Sequence, residues 1–399
     1  MSLLESIKRL AAEYAESIVA SRRHLHANPE LSYQEFNTAK FVADKLKSYG
    51  LKPQEGVAKT GVVVLIEGRN PSKKVVALRA DMDALPIQEI SQASYKSIVP
   101  GVMHACGHDV HTSSLLGTAQ ILNEIRTEFE GSVKLIFQPG EEKHPGGASI
   151  MIAEGVLQNP SPVSIIGQHV MPLIPVGKIG FREGKYMASS DEIYLRVIGK
   201  GGHGAAPELT IDPVVIAAHI IIALQQVVSR NASPKEPTVL TFGRITADGA
   251  TNIIPDEVRI AGTFRSLNEE WRQSGLKKIQ KMAEGIAEGM GGKCEVTISN
   301  GYPYLENNPE LTRRIKAAAE LYMGKENVVD IDLTLGSEDF AYYSQKIPAS
   351  FYRLGTRNEA KGITSYVHTP TFDIDEEALR IGPGLMAWMA IQELSHFKK

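Results

Sequence analysis

Short apolar runs that alternate with helical patterns constrain the fold of this chain most strongly. Its first half contains two short continuous apolar runs, Val62–Ile66 and Val75–Leu78, and two further segments that are expected to be strands, Val133–Phe137 and Val163–Gly167. Such runs are typical of strands buried on both faces of a sheet. Helical periodicity lies before, between and after them, over Ser32–Tyr49, Thr112–Phe129 and Ala148–Glu154. The alternation predicts a layered α/β domain with a largely parallel or mixed sheet.

The pattern changes in the middle of the chain and then returns. From about Ala188, amphipathic strands and two long helices follow one another, which predicts an inserted α+β domain. After Asn300 the helix and strand style of the first half resumes, ending in a helix expected over Glu376–Phe397. A length of 399 residues also favours two domains. We therefore expect a first domain over 1–186 and 300–399, interrupted by an insert over 187–299.

Charge and composition exclude several classes of protein. The net charge is −3 and no basic stripe is found, so neither nucleic acid nor an anionic membrane is an expected partner. The most apolar stretch, Val214–Leu224, is expected to be too short to span a bilayer. The amino-terminal residues have the periodicity of an amphipathic helix rather than of a signal peptide. Cys106 and Cys294 lie far apart, which argues against a disulfide scaffold and fits a reducing cytoplasm.

One stretch concentrates the ligands that transition metals prefer. Val102–Thr112 reads V-M-H-A-C-G-H-D-V-H-T and contains Cys106 and His108 two residues apart. Thiolate and imidazole together suit Zn²⁺ and its neighbours, and Gly107 allows the backbone to turn so that both side chains meet one ion. Taken singly, each residue is better explained by a helix start that holds a buried cysteine and solvated histidines, whereas the cluster as a whole favours a metal.

Polar side chains also follow three of the strands. The run ending at Leu78 leads to Asp81 and Asp83, the run ending at Phe137 to Glu141 and Glu142, and the run ending at Gly167 to His169. Open α/β sheets bind ligands at the carboxyl ends of their strands. Together with Cys106 and His108, these side chains predict a catalytic metal centre at one edge of the sheet.

The adjacent glutamates and one histidine of the insert suggest separate roles. In extended chain Glu141 and Glu142 would point to opposite sides, so one could bind a cation while the other acts as a general base. His203, between Gly202 and Gly204, is expected to be mobile and exposed, which suits a residue that closes over a substrate.

Eight motifs along the chain carry a family resemblance. They are R-A-D-M-D-A-L-P (79–86), H-A-C-G-H-D (104–109), Q-P-G-E-E (138–142), G-G-H-G-A-A-P (201–207), T-N-I-I-P (251–255), G-T-F-R (262–265), G-S-E-D-F (336–340) and V-H-T-P (367–370). The chain resembles the amidohydrolase branch of the aminoacylase and carboxypeptidase family of dinuclear metallohydrolases. Hippurate hydrolases, N-acetyl-amino-acid deacetylases and auxin-conjugate hydrolases belong to that branch.

The resemblance implies a site and a chemistry. Two divalent ions (Zn, Mn, Co or Ni) would be held by five ligands, with Cys106 bridging: Cys106, His108, Glu142, His169 and His368. Glu141 would be the general base and Asp83 would lie beside the metal ligands. Asp81 stands where other branches carry a ligating histidine. His203, Asn252 and Arg265 match substrate-binding positions, and Gly336 and Ser337 are further candidates for holding the substrate carboxylate.

The resemblance also implies an architecture and a partner. It implies a three-layer α/β catalytic domain with a mixed sheet and an inserted, ferredoxin-like α+β lid that mediates homodimerisation. His203 often reaches the neighbouring subunit's site in that family. The expected substrate is an N-acyl-amino acid, of the N-acetyl or N-benzoyl type, cleaved at its amide bond in the cytoplasm.

Two other functions stay open from the sequence. One is a dipeptidase or carboxypeptidase on the same scaffold. The other is a metal-free thiol hydrolase that uses Cys106 as the nucleophile with His108. A purely structural metal site is disfavoured, because it would not require Glu141 beside a closed ligand set.

Overall fold

The structure is a computed structural model that describes residues 2–396 and divides into two compact units. The first unit comprises the described residues up to Gly184, then Glu306–Asp332, then the described residues from Asp339 onward. The second unit comprises Lys185–Leu305 and Leu333–Glu338. The insert expected over 187–299 lies within the second unit, which also takes in the short segment that contains Gly336 and Ser337.

A large mixed sheet forms the centre of the first unit. Its strands are β1 (Gln54–Val57), β2 (Gly61–Glu67), β3 (Val75–Asp81), β4 (Ser132–Gln138), β5 (Ser164–Pro175), β6 (Ile179–Phe181), β15 (Val328–Asp330) and β16 (Ala349–Arg357). Their order across the sheet is β1-β2-β4-β3-β5-β16-β6-β15. The four central strands run parallel, and β3 pairs with β4 from Val75–Ser132 to Asp81–Gln138. The carboxyl ends of β3 and β4 are therefore level at one edge.

Helices cover both faces of this sheet. They are α1 (Leu3–Ala27), α2 (Phe36–Ser48), α3 (His108–Glu124), α4 (Gly147–Ala153), α7 (Pro309–Met323), α8 (Ala341–Ser344) and α9 (Ala378–Ser395). Val76 and Leu78 of β3 share a hydrophobic core with α1, α2, α3, α7 and α9. Successive side chains of a strand point to opposite faces, and Arg79 accordingly lies against Phe340, which directly precedes α8. The expected three-layer α/β architecture is confirmed.

The second unit is an antiparallel sheet covered by two helices. Its elements are β8 (Asp191–Ile198), β9 (Gly202–His203), α5 (Pro213–Gln226), β10 (Thr238–Thr246), β11 (Ile253–Ile254), β12 (Glu257–Ser266), α6 (Glu269–Gly289) and β13 (Lys293–Asn300). Two further strands, β7 (Gly184–Met187) and β14 (Leu305–Asn307), lie where the chain passes between the units. The sheet order is β10-β12-β8-β13, and α5 and α6 pack together on it. This β-α-β-β-α-β arrangement is ferredoxin-like, as expected.

One helix of the second unit has the length and composition of a membrane span. The helical stretch Pro213–Asn231 is 19 residues long and apolar, so the expectation that this region is too short to span a bilayer is wrong. Ile216 and Ile220 nevertheless lie in the core between α5, α6 and the sheet. The core helices of globular proteins satisfy the same criterion, so length and composition are weak support for a membrane role.

Several boundaries differ from those expected. Ser32–Glu35 lie before α2 rather than within it, since Tyr33 has a φ of +63° that a helix excludes. Strand β5 continues well past Gly167, so His169 lies inside a strand and not after one. The closing helix α9 ends at Ser395, and the expected end at Phe397 lies outside the described residues.

A buried ion pair stabilises the second unit and gives a test of the fold. Arg272 donates to both carboxylate oxygens of Asp191, at 2.8 and 2.7 Å, and their side chains are 5% and 0% exposed. We expect Arg272→Ala to lower the free energy of unfolding by about 3–5 kcal/mol, because an uncompensated carboxylate would remain buried. Urea unfolding measures the change. Arg259→Ala, which removes an arginine that is 70% exposed, should leave the transition unchanged; equal effects of both variants would contradict the assignment.

Candidate metal centre

Cys106 occupies the centre of the candidate site, just before α3. Gly107 caps that helix with a φ of +80°, a conformation that L residues rarely adopt. A Cβ atom on Gly107 would also lie 2.6 Å from Cγ2 of Val170. Glycine is therefore required at this position, as expected, so that the chain can turn between Cys106 and His108.

Two groups of three potential ligands share the Cys106 sulfur. Cys106, His108 and His169 form one group and Cys106, Glu142 and His368 the other, with ligand atoms within 4.8 Å of one another in each. Nε2 of His169 lies 3.4 Å from Sγ, and Nε2 of His368 lies 3.3 Å from it. The structure thus brings together all five side chains expected as ligands, in an arrangement that suits one thiolate shared by two ions.

The histidine rings are oriented as metal ligands are. Nδ1 of His108 lies 3.2 Å from Oδ1 of Asp83, while its Nε2 is buried with no hydrogen-bond partner among the described residues. Nδ1 of His169 donates to the carbonyl of Val170 at 2.7 Å, which leaves Nε2 directed at Cys106. A ligating histidine usually donates its other ring N–H to a carboxylate or carbonyl in this way. The unpartnered Nε2 of His108 fits a divalent cation at this position.

His368 reaches the site from the carboxyl-terminal part of the chain. Its backbone has a φ of +62°, and its N–H donates to the carbonyl of Ala105 at 2.7 Å. This bond holds the loop against the residue that precedes Cys106. Nε2 of His368 also lies 3.3 Å from Oε1 of Glu142. The loop is thus fixed where its imidazole meets both partners.

The proton affinities of these groups are strongly perturbed. Burial alone would lower the pKa of His108, but Asp81, Asp83 and Cys106 together raise it well above its usual value. Hydrogen bonds to Cys106 and Glu142 raise the pKa of His368 to about 10. Burial lowers the pKa of His169 far below its usual value and raises that of the Cys106 thiol. Since metal ions and protons compete for the same lone pairs, cation binding here releases protons.

The two adjacent glutamates share one side of the site. Residues 141–142 form a turn after β4, and the carboxylates of Glu141 and Glu142 both lie within 4.8 Å of the His108 ligand atom. The expectation that their side chains diverge is wrong, because it assumed extended backbone. Oε1 of Glu141 accepts a weak hydrogen bond from the N–H of Asp339 at 3.4 Å. Glu141 is therefore placed beside the ligands.

Asp83 connects the ligand segments to one another. Its Oδ2 accepts from the Ser32 hydroxyl at 2.6 Å and from the N–H of Glu142 at 3.0 Å. Burial opposes its charge, but the hydrogen bond from His108 and these two donors lower the pKa of the carboxyl. Asp83 is thus a buried, ionised carboxylate that orients His108 and Glu142.

Asp81 and His111 form a second buried pair behind the ligands. Oδ1 of Asp81 lies 2.6 Å from Nδ1 of His111, and Nε2 of His111 accepts from the N–H of Val170 at 2.9 Å. Both ring nitrogens of His111 are therefore occupied within the protein. Asp81 also accepts from the guanidinium of Arg79 at 2.5 Å. These partnerships favour a supporting role for Asp81 and His111, next to the strand that carries His169.

A third buried cluster supports the start of α3. Arg22 donates to Oδ2 of Asp109 at 2.8 Å, and Nδ1 of His26 lies 2.8 Å from the same oxygen. His104 lies beside them, and burial lowers its pKa to about 4. Neither ring nitrogen of His104 has a hydrogen-bond partner in the described part of the chain. His104 is the one residue of the H-A-C-G-H-D motif whose placement has no evident reason.

The expected substrate-binding residues lie in the second unit. Strands β9 and β11 place His203 opposite Ile253, and the N–H of Gly204 donates to the carbonyl of Asn252 at 2.9 Å. Nδ1 of the exposed His203 accepts from the N–H of Ala205 at 3.1 Å, so Nε2 remains to donate. Arg265 is on β12, and burial lowers its pKa. Elsewhere in this unit, the carbonyl of Gly336, which precedes Ser337, accepts from the N–H of Ala188.

Sequence reasoning missed the supporting residues. Arg22, His26, Ser32 and Glu35 lie within or beside amphipathic helices, where polar residues are ordinarily solvated. A signal was present nonetheless, because Arg22 and His26 are four residues apart and share the face of α1 that buries Leu25. The stretch Val102–Thr112 also contains His111, but spacing alone cannot show that both of its ring nitrogens are occupied.

Known proteins are similar along the whole chain. N-acetylcysteine deacetylase from Bacillus subtilis is 41% identical over 96% of this chain and 98% of its own length. Thermostable carboxypeptidase 2 from Saccharolobus solfataricus is 40% identical over 98% of this chain and 99% of its own. A crystal structure of a dinuclear metal-binding peptidase of the M20 family from Bacillus subtilis superposes with a TM-score of 0.82, at 37% identity, over 96% of this chain and 99% of the other.

The family itself is matched over most of the sequence. Residues 77–391 match Peptidase family M20/M25/M40, a span that includes every candidate ligand and Glu141. Both the fold and the family resemblance read from the eight motifs are thereby confirmed. The chain therefore belongs to Peptidase family M20/M25/M40 and is a hydrolase of its amidohydrolase branch.

Proposed function

We propose that this protein is a metal-dependent amidohydrolase that cleaves the amide bond of N-acyl-amino acids. The observation that carries the proposal is the pair of ligand groups that share Cys106, with the Glu141 carboxylate beside them. The similarity to N-acetylcysteine deacetylase supports a substrate of the N-acetyl type; the N-benzoyl type remains part of the proposal. The residue roles below follow from this proposal.

Two divalent cations per subunit fit the donor set. His108 and His169 would hold one and Glu142 and His368 the other, with the Cys106 thiolate between them. Zn²⁺, Mn²⁺, Co²⁺ and Ni²⁺ all accept a mixture of thiolate, imidazole and carboxylate. When bound, such ions polarise a carbonyl group and lower the pKa of a water molecule.

The chain's own residues supply proton transfer and orientation. Glu141 accepts the proton of the attacking water and returns it to the nitrogen of the departing amine. Asp83 keeps the His108 ring oriented and, through the N–H of Glu142, fixes the turn that carries Glu141. In the lid, Nε2–H of His203 donates to the carbonyl oxygen on which negative charge develops. Asn252, Arg265 and the Gly336–Ser337 segment hold the remainder of the substrate, with Arg265 suited to its carboxylate.

A carboxypeptidase activity is the second candidate, and one comparison favours it. Thermostable carboxypeptidase 2 is 40% identical over nearly the full length. Paired assays of N-acetyl-amino acids and of dipeptides with the same amino acid distinguish the two functions. A thiol hydrolase is disfavoured, since Cys106 is 7% exposed and burial raises the pKa of its thiol.

The lid also provides a surface for a second copy of the chain. Val214, Val215 and Ile222 on α5 are 44%, 47% and 72% exposed. Apolar side chains so exposed on one short helix suit an interface between subunits. We therefore propose a homodimer formed through the second unit. Both cysteines are free and buried, which is compatible with the proposed cytoplasmic location.

Replacing the proposed base tests the reaction. We expect Glu141→Gln to bind two metal ions normally and to lower kcat by roughly 10²–10⁴-fold, the range of general acid–base contributions. Elemental analysis and steady-state kinetics on an N-acetyl-amino acid measure both properties. Glu142→Gln, one residue along, should instead weaken metal binding. Normal turnover by fully loaded Glu141→Gln would exclude Glu141 as the base.

Replacing the shared thiolate tests the metal centre. Cys106→Ala should reduce the metal content of the purified protein, because both ligand groups lose a member. Cys106→Asp supplies a carboxylate at the same position and should retain two ions with altered affinity. Cys294→Ala is the matched control, since Cys294 lies on β13, and should bind metal normally. Two ions bound to Cys106→Ala with unchanged affinity would rule out the bridge.

Replacing the lid histidine tests both its role and the dimer. His203→Ala should retain both metals and lower kcat more than it raises KM, because a contact made mainly in the transition state is lost. If His203 serves the neighbouring subunit, mixing His203→Ala with Glu141→Gln subunits should restore activity at one site of each mixed dimer. Mixing two differently tagged Glu141→Gln preparations is the control. No recovery despite demonstrated subunit exchange would mean that His203 serves its own subunit or does not act at all.

A further inference from the structure

The segment Ser32–Glu35 folds around the turn that carries the proposed base. It precedes α2, contains one residue at positive φ, and lies against residues 138–143 after β4. From these contacts we infer that Glu35 is a positioning residue for Glu141. This inference rests on the proposed function, since it concerns the same reaction.

Glu35 binds the backbone of the turn directly. Its Oε1 accepts from the N–H of Gly140, the residue before Glu141, at 2.8 Å. The same oxygen accepts from the N–H of Tyr33 at 2.8 Å, and Oε2 accepts from the hydroxyl of Thr60 at 2.7 Å. The side chain therefore connects its own segment, the start of β2 and the turn. Gly140 has a φ of +60°, so this bond fixes an unusual backbone conformation immediately before the base.

Because the Glu35 carboxyl group is buried, leaving any of its hydrogen bonds unmade would be costly. Glu35 is 0% exposed, and burial together with nearby Asp83 raises the pKa of its carboxyl. Burying a carboxyl group is costly unless its oxygen atoms take part in hydrogen bonds. An apolar side chain at position 35 would suit these buried surroundings, but it would leave the N–H of Gly140 without an acceptor. The three bonds account for the presence of a glutamate here.

Two neighbours act on the same turn. The hydroxyl of Tyr33 donates to the carbonyl of Lys143 at 2.9 Å, on the far side of Glu141 and Glu142. A Cβ atom on Gly140 would lie 2.4 Å from the Tyr33 ring, so the ring covers the turn closely. Ser32 donates to Asp83, which in turn accepts from the N–H of Glu142. The turn is thus held before, at and after the two glutamates by one short segment.

Three substitutions of Glu35 separate geometry from charge. Glu35→Gln keeps an acceptor oxygen at full length, and its amide can donate to Thr60, so kcat should stay within about threefold of wild type. Glu35→Asp keeps the charge but withdraws the carboxylate by one methylene group. Glu35→Asp and Glu35→Ala should lower kcat by roughly 10–10²-fold with little change in KM, since misplacing a reacting group by about 1 Å has effects of this size. Equal losses of kcat in Glu35→Gln and Glu35→Asp would overturn the inference. Unchanged kcat in Glu35→Asp and Glu35→Ala would overturn it as well.

Glu30, two residues before this segment, provides a matched control. Its carboxylate also accepts backbone N–H groups, those of Asn37 and Thr38 at the start of α2, at 3.2 and 2.8 Å. Glu30→Ala should lower the melting temperature and leave kcat unchanged. Hydrogen exchange of the peptide that covers 138–147 provides a readout independent of activity. Exchange there should accelerate in Glu35→Ala and Glu35→Asp but not in Glu30→Ala; unchanged exchange in both Glu35 variants would contradict the inference.

A double-mutant cycle distinguishes this inference from the proposed function. If Glu35 acts through Glu141, adding Glu35→Asp to Glu141→Gln should lower kcat by less than threefold further, because the positioned group is already gone. If the double variant instead showed the product of the two single losses of kcat, at equal metal content, Glu35 would act independently of Glu141. That result would overturn the inference. Full activity of Glu141→Gln alone would instead defeat the proposed general base, while the exchange measurement would still report on the turn.

Discussion

The buried carboxylate of Asp83 is the interaction on which the candidate site depends. It receives hydrogen bonds from Ser32, from the backbone of Glu142 and from the ring of His108. These three partners belong to segments far apart in the sequence, and they meet at an ionised carboxylate that is 1% exposed. Removing a partner from such a charge is much more costly than the net contribution of the bonds suggests. The positions of one ligand and of the turn with the proposed base are therefore coupled through a single side chain.

The remaining geometry of the site depends on the backbone conformation of three residues next to or within the ligand segments. Gly107, Gly140 and His368 all have φ between +60° and +80° and each directly precedes or contains a candidate ligand or the proposed base. Glycine adopts such a conformation readily, whereas His368 can persist in it only where surrounding contacts hold it. The N–H of Gly140 is bound by Glu35 and that of His368 by the carbonyl of Ala105. These two bonds hold the loops of the centre against neighbouring segments.

The sequence predicted the layers and the ligand segments because both produce local patterns. Continuous apolar runs mark buried strands, Cys106 and His108 lie at a helix start, and Glu142 follows a strand end. It did not predict the support around them. Ser32–Glu35 has helical periodicity, and only the positive φ of Tyr33 and the bond to Gly140 exclude it from α2. Such contacts join positions about a hundred residues apart, so no local pattern can report them.

The order of the ligands along the chain divides the centre between the two parts of the first unit. Cys106, His108, Glu142 and His169 lie before the inserted unit, whereas His368 follows it. His368 follows strand β16, which pairs with β5, and the loop that carries it reaches the carbonyl of Ala105. A cation bound to the group of Cys106, Glu142 and His368 would connect the two parts of the first unit across the insert. Because ligand binding to the native state alone stabilises it by mass action, such a cation should stabilise the first unit as a whole rather than one loop.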